Sequence, residues 1–236
     1  MLLDGWHLLG EAARAGISVE TIATCGPPTR DEERTLDRLQ RGGATVVEVS
    51  SAVLNAISPV HAPTGVVASA QTPVVAPGAV LLPAPPLVLA ASHLQDPGNA
   101  GAIVRSAAAA GASGVVFDGS SADPWGWKAL RASMGSAFHI PVLRSRAFST
   151  VLGDWQRDGV RVIATVPRDG TPMYDVDFTT PAVILLGGEG SGLSPDLIAS
   201  ADERVTIPMR RSIESLNAAV AAALLLYEAL RQRTAP

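Results

Sequence analysis

The chain has 236 residues, of which 47% are hydrophobic and 17% charged, with a net charge of −4. This composition supports one large domain or two small ones with a real core, and it excludes an intrinsically disordered chain. The acidic balance also excludes nucleic-acid binding through overall charge, so any such contact has to come from a local patch.

Cys25 is the only cysteine, which rules out an intrachain disulfide and a cysteine zinc site. The start of the chain shows no basic-then-apolar signal pattern. The longest apolar run near the C-terminus, from Ala218 to Tyr227, is too short to cross a bilayer. A cytoplasmic, membrane-free protein is the expectation.

In chain order, residues 3–15 read as a helix, with Leu3, Trp6, Leu9 and Ala13 near helical spacing. Val19–Cys25 reads as a strand. Thr29 and Glu32 form a capping-box pattern that opens a charged helix ending at Gly42-Gly43. A strand at Thr45–Val49, a short helix at Ala52–Ile57 and a strand at Gly65–Ala70 complete a small α/β unit over residues 1–72. Pro73, Pro77, Pro83, Pro85 and Pro86 then mark a connector over residues 73–86, where neither helix nor central strand is expected.

From residue 87 to 236 strands and helices alternate. Strands are expected at Leu87–Ala91, Gly114–Phe117, Val160–Val166, Ala182–Leu186 and Val205–Ile207. Helices are expected at Gly98–Ala110, after Asp123-Pro124, after Ser194-Pro195 and over Ile213–Arg231. This alternation predicts a parallel sheet with helices on both faces. The final helix is apolar on every side, which calls for cover from a second copy of the chain.

Three loops carry the candidate chemistry. Asn99 and Arg105 belong to the first strand-to-helix turn of the second part, at the carboxyl edge where parallel sheets bind ligands. Alone, Asn99 reads as a helix cap and Arg105 as a surface charge. Gly187, Gly188, Gly190 and Gly192, with Glu189 among them, follow a buried-type strand. The spacing is not G-x-G-x-x-G, and Leu193 stands where a phosphate loop needs lysine, so a triphosphate is not the ligand. In the third loop Ser212, Ser215 and Asn217 are all good N-cap residues, more than one helix start needs. Arg131-Ala-Ser-Met-Gly135 reads equally as a helix C-cap at Gly135 or a functional turn. His7, His61, His93 and His139 show no metal or triad spacing and read as non-catalytic.

The segments Asp96–Arg105, Leu186–Ser194 and Ile207–Asn217 together resemble, in order and spacing, the three motifs of the SpoU-type (TrmH-like) RNA ribose methyltransferases of the SPOUT superfamily. Leu94-Gln95, Arg131–Gly135 and Ile140-Pro141 add to the likeness, which covers roughly residues 87–233. Leu3-Asp4-Gly5 and Gly65–Ala68 resemble the family's small substrate-binding domain, although the family usually has a helix before the point where this chain begins. The resemblance implies a SPOUT-type parallel sheet with a C-terminal trefoil knot, S-adenosylmethionine as methyl donor, an RNA substrate (rRNA or tRNA) and a homodimer formed through the knotted domain. It implies that Thr165, Leu186, Gly187, Gly188, Gly190, Ile207, Met209 and Leu216 hold the cofactor. It implies a reaction centre of Asn99, Arg105, Glu189, Ser215 and Asn217, with Arg105 as the base. A guanidinium rarely deprotonates, so Arg105 serves equally well to orient a phosphate. Three departures from the family pattern stand out: Gly188 for Asn, Arg211 for Gly, and Ala218-Ala219 for Val-Ser.

The resulting expectation is an RNA ribose 2′-O-methyltransferase. The alternative is an RNA-binding protein with the same fold and little or no transferase activity. A nucleotide-dependent oxidoreductase is disfavoured by the missing dinucleotide motif.

Overall fold

The structure is a computed structural model and describes residues 1–190, 192–210 and 214–234. The first unit opens with strand β1 (Leu2–Asp4), followed by α1 (Trp6–Arg14), β2 (Val19–Thr24), α2 (Arg30–Arg41), β3 (Thr45–Glu48), α3 (Ser51–Ile57) and β4 (Val66–Ala70). The sheet order is β1-β4-β2-β3, with β4 antiparallel to both neighbours and β2 parallel to β3. The expected helix over residues 3–15 is therefore corrected at its start. Gly5, at φ 96°, breaks the chain between β1 and α1, a turn that glycine makes without steric cost. The N-terminal amine donates to the Ala70 carbonyl at 2.6 Å and ties β1 to the end of β4. The Thr29–Glu32 capping box is present and starts α2 at Arg30.

The proline-rich connector contains a 3₁₀ turn at Pro77–Leu81, against the expectation of no helix. Proline at the first helical position lacks only an N–H that would be unpaired there anyway. Val80 in this turn is fully buried, and Gly114 makes room for it: a Cβ there would lie 2.6 Å from the Val80 Cβ.

The second unit runs β5 (Leu87–Ser92), α4 (Pro97–Ala109), β6 (Gly114–Asp118), α5 (Trp127–Ser133), β7 (Val142–Ser145), α6 (Phe148–Arg157), β8 (Arg161–Thr165), β9 (Thr171–Pro172), β10 (Ala182–Gly187), α7 (Pro195–Ser200), β11 (Glu203–Thr206) and α8 (Ala218–Thr234). Its seven strands lie in the order β7-β6-β5-β10-β8-β11-β9, every pair parallel. Alternate residues face opposite sides. Leu87, Leu89, Ile163 and Ile184 pack with α4, α5 and α8, while Val88, Val162, Val183 and Leu185 pack with α6 and α7.

Several expectations change at element ends. Asp123-Pro124 forms a turn in which the Asp123 side chain accepts from the Trp125 N–H, and α5 begins only at Trp127. The strand β7, the helix α6 and the short strand β9 were not anticipated. The last helix begins at Ala218 rather than 213, and Ser212 and Ile213 lie outside the described residues.

One apolar core runs through both units, joining Leu3, Leu8 and Leu9 to Leu130 and Ala137. Polar contacts reinforce the junction. His7 Nε2 lies 3.1 Å from the Met134 carbonyl, and His139 Nε2 lies 2.7 Å from Glu11 Oε2. Gly135, at φ 81°, packs directly on the Glu11 side chain, and Met134 (φ 51°) is itself the left-handed cap of α5, one residue before the expected position. Among the described residues no helix is long and apolar enough to cross a membrane.

Arg233, near the end of α8, donates to four carbonyls: Phe178 at 2.7 Å, Pro85 at 2.7 Å, Pro86 at 3.0 Å and Thr180 at 2.9 Å. It fastens the end of the connector and the loop before β10 to the last helix. Arg233→Ala is expected to lower unfolding free energy by about 2–3 kcal/mol, read as a lower urea midpoint at unchanged slope.

Candidate active site

The carboxyl ends of β8, β10 and β11 open into a cavity of about 550 Å³. Thr165 enters from β8, Leu186 and Gly187 from β10, and Gly188 and Gly190 from the loop that follows. Ile207, Met209 and Leu216 line it from the segment between β11 and α8. All eight residues assigned to the cofactor by resemblance thus share one cavity. Glu189, Ser215 and Asn217 line it as well.

Two glycines shape the loop. A Cβ on Gly187 would lie 2.2 Å from the Gly192 backbone, and one on Gly188 would lie 1.8 Å from the His93 carbonyl oxygen. The loop therefore folds back on itself and onto the end of β5 at distances that no side chain permits; the Gly188 N–H donates to the Ser92 carbonyl at 2.8 Å, and the Gly188 carbonyl accepts from the Gly192 N–H at 3.3 Å. The Gly188 departure matches this close seating. The Arg211 departure lies outside the described residues.

The polar lip is a directed chain of hydrogen bonds. Asn217 Oδ1 accepts from the backbone N–H groups of Ala219 (2.9 Å) and Val220 (3.2 Å), capping α8. Its Nδ2 donates to Asn99 Oδ1 at 3.1 Å, and Asn99 Nδ2 donates to Glu189 Oε1 at 2.5 Å. Glu189 Oε2 accepts from the Gln95 N–H at 2.9 Å. The two fixed donors on α8 set the orientation of the Asn217 amide. That orientation sets the Asn99 amide, which in turn requires an acceptor at Glu189. Burial raises the Glu189 pKa, but the hydrogen bonds from Gln95 and Asn99 outweigh it and hold the carboxyl below its ordinary range. Asn99 is therefore not the cap of α4; Asp96 is, accepting from the Gly98 N–H at 2.8 Å.

Arg105 stands apart. It is exposed on α4, outside the cavity lining, and makes no hydrogen bond or ion pair among the described residues. Ser215 lines the cavity on its exposed side. The sequence missed Gln95 as the second anchor of Glu189, because a backbone N–H carries no residue signature. It also missed Glu214 at the rim.

The sequence model of the SpoU rRNA methylase family matches residues 86–227, and that of the MRM3-like substrate binding domain matches residues 1–68. An uncharacterized tRNA/rRNA methyltransferase of Synechocystis sp. is 33% identical over 100% of this chain and 85% of its own length. The crystal structure of the SpoU methyltransferase AviRb from Streptomyces viridochromogenes, in complex with AdoMet, superposes with a TM-score of 0.89 at 32% identity, covering 99% of this chain and 90% of that one. The crystal structure of an RNA 2′-O ribose methyltransferase superposes with a TM-score of 0.79 at 34% identity, covering 99% and 88%. The chain belongs to the SpoU rRNA methylase family. It is a methyltransferase that takes its methyl group from S-adenosylmethionine. The cavity fits that molecule: its volume lies in the range of small-molecule sites, and Ile207, Met209 and Leu216 give it apolar walls.

Gly187→Ala is expected to force the loop off the Gly192 backbone and weaken S-adenosylmethionine binding by at least about tenfold, near 1.4 kcal/mol, measured by calorimetry, with little change in circular dichroism. The lowered Glu189 pKa also has a signed consequence. Stabilisation of the loop is complete above the ordinary value of 4.5 and is lost as pH falls through the lowered value. Cofactor affinity should therefore be level above that pH and drop below it. Glu189→Gln, which sets an N–H₂ against one of two donors, should be weak at every pH.

Proposed function

We propose that this chain is an RNA ribose 2′-O-methyltransferase acting on rRNA or tRNA. The observation that carries the reading is the hydrogen-bonded chain Glu189–Asn99–Asn217 along the lip of the cofactor cavity. It gathers residues from three segments far apart in sequence into a polar edge beside the methyl donor. In this reading Thr165, Leu186, Gly187, Gly188, Gly190, Ile207, Met209 and Leu216 hold the donor. Asn99, Glu189, Ser215 and Asn217 align the attacking hydroxyl, and alignment is the main demand of an in-line displacement.

Arg105 orients the phosphate next to the target ribose, consistent with its exposure on α4. Residues 1–72 form an RNA-binding domain that reads shape and single-stranded elements, residues 73–86 a linker, and residues 87–236 a methyltransferase domain with a trefoil knot. Insertion of β10 between β5 and β8, and the seating of Gly188 on His93, support the threaded arrangement. The charged face of α2 is a solvated one: Arg34 pairs with Asp31, and Arg41 bonds the Asp37 carbonyl.

The protein works as a homodimer. Val220, Leu224 and Tyr227 on α8 are exposed and share a shallow apolar surface with Ala102 and Ser106 of α4. A second copy laid on this surface would come close to Arg105, which lies between those two α4 residues in sequence.

The test is incubation of purified protein with labelled S-adenosylmethionine and unmodified total RNA. Label should appear on ribose 2′-oxygen, and Arg105→Ala should lower the rate by about 10²–10³-fold. Arg105→Lys should retain activity only if charge alone suffices. No cofactor binding at all would favour a non-catalytic RNA-binding protein instead.

A further inference from the structure

Strand β5 lies between β6 and β10 in the large sheet. Its carboxyl end runs into the turn Ser92-His93-Leu94-Gln95, which meets β10 and its glycine loop on one side and β6 on the other. On the loop side the contacts are close. The Gly188 N–H donates to the Ser92 carbonyl at 2.8 Å, and a Cβ on Gly188 would lie 1.8 Å from the His93 carbonyl oxygen. The Gln95 N–H donates to Glu189 at 2.9 Å. Gly188 and Glu189 both line the cavity.

On the β6 side a single buried carboxylate holds the same turn. Asp118 ends β6, one residue past the paired positions Ala91 and Phe117. Its Oδ2 accepts from Ser92 Oγ at 2.8 Å, from the His93 N–H at 3.1 Å and from Ser120 Oγ at 2.8 Å. Its Oδ1 accepts from the N–H and the hydroxyl of Ser121, both at 2.7 Å. Ser121 Oγ in turn accepts from the Leu94 N–H at 3.0 Å, and the Leu94 carbonyl accepts from the Ala122 N–H at 2.7 Å. Three successive residues of the turn are thus tied to Asp118, two directly and one through Ser121. Burial raises the Asp118 pKa, but the hydrogen bonds from Ser121, Ser92, Ser120 and the His93 N–H outweigh it and hold the carboxyl below its ordinary range.

The turn needs such a hold. His93 has φ 57°, a left-handed backbone that is uncommon outside glycine and persists where the surroundings fix it. Here the His93 N–H is fixed on Asp118, while its carbonyl faces Gly188. A carboxylate is the group that suits this place. Each Asp118 oxygen takes one backbone N–H, His93 on Oδ2 and Ser121 on Oδ1. An asparagine would set its own N–H₂ against one of these donors in either orientation, and a donor left without an acceptor has to move.

We propose that Asp118, which lies outside the cavity lining, is a positioning residue for the methyl donor: it fixes the Ser92–Gln95 turn on which Gly188 and Glu189 are seated. This rests on the reading that the cavity holds S-adenosylmethionine, and it is independent of which RNA atom receives the methyl group. Two neighbouring serines separate the hold on the turn from the hold on the carboxylate. Ser121 bonds both Asp118 and Leu94, whereas Ser120 is exposed and bonds Asp118 without bonding the turn.

The test measures S-adenosylmethionine affinity by calorimetry, with urea unfolding in parallel. It compares the wild-type chain with Asp118→Asn, Ser121→Ala and Ser120→Ala, and uses Gly187→Ala as the reference for the cavity. Affinity should fall by at least about tenfold in Asp118→Asn and by about fivefold in Ser121→Ala, and stay within about twofold in Ser120→Ala. Should Asp118→Asn fail to fold, the contrast between the two serine variants decides. Affinity kept within about twofold in Asp118→Asn and Ser121→Ala, even at a lowered urea midpoint, would overturn the proposal and leave Asp118 a purely structural group. Equal losses in Ser120→Ala and Ser121→Ala would overturn it too, because the effect would then follow the carboxylate and not the turn. Unchanged affinity in Gly187→Ala would remove the cavity as the donor site, and the role of Asp118 with it.

Discussion

The site depends on the close approach of two backbones. The loop after β10 lies against the end of β5 so tightly that residue 188 cannot carry a Cβ, and residue 187 cannot carry one because the loop doubles back on Gly192. This contact is held by the Gly188 N–H, which donates to the Ser92 carbonyl at 2.8 Å. It brings Glu189 within reach of Asn99 and Gln95, and it sets the His93 carbonyl against the loop. If the two strand ends were a residue further apart, the cavity lining and the polar lip would no longer share one edge.

A second constraint acts along the lip. Each amide in the chain from α8 to Glu189 has its orientation fixed by its neighbour, starting from two helix N–H groups that must be capped. Asn217 is therefore both an ordinary helix cap and part of the site. The two readings of that residue, structural and functional, are the same set of bonds. The same logic holds Asp118 on the β6 side, where three serines surround a buried carboxylate.

The junction between the two units has a comparable economy. The turn at Met134-Gly135 ends α5 and also receives α1 of the first unit, through His7 and through packing on Glu11. Helix α5 lies against α4, where Gly101 leaves no room for a Cβ beside the Ala129 carbonyl. The first unit is thus connected by rigid packing to the helix that carries Asn99 and Arg105. The connector is not a loose tether, since Val80 is buried in the sheet and Arg233 holds Pro85 and Pro86.

The sequence by itself determined the parallel α/β character of the second unit, because buried strands and capped helices alternate with periods that only those elements satisfy. It also determined the glycine loop and the capping box at Thr29, and the family resemblance picked out eight residues that line one cavity, since motif order and spacing survive without coordinates. Strand β1 was not legible, because Gly5 permits the break but only pairing with β4 makes three residues a strand. Strand β7 has no cap or glycine signal and helix α6 has no N-cap side chain to mark its start, and the sheet defines them through its edges. The contacts of Asn99 and Gln95 were decided only by tertiary structure. Which oxygen a backbone N–H or an amide meets depends on how far apart two strand ends lie, and residue spacing along the chain does not encode that distance.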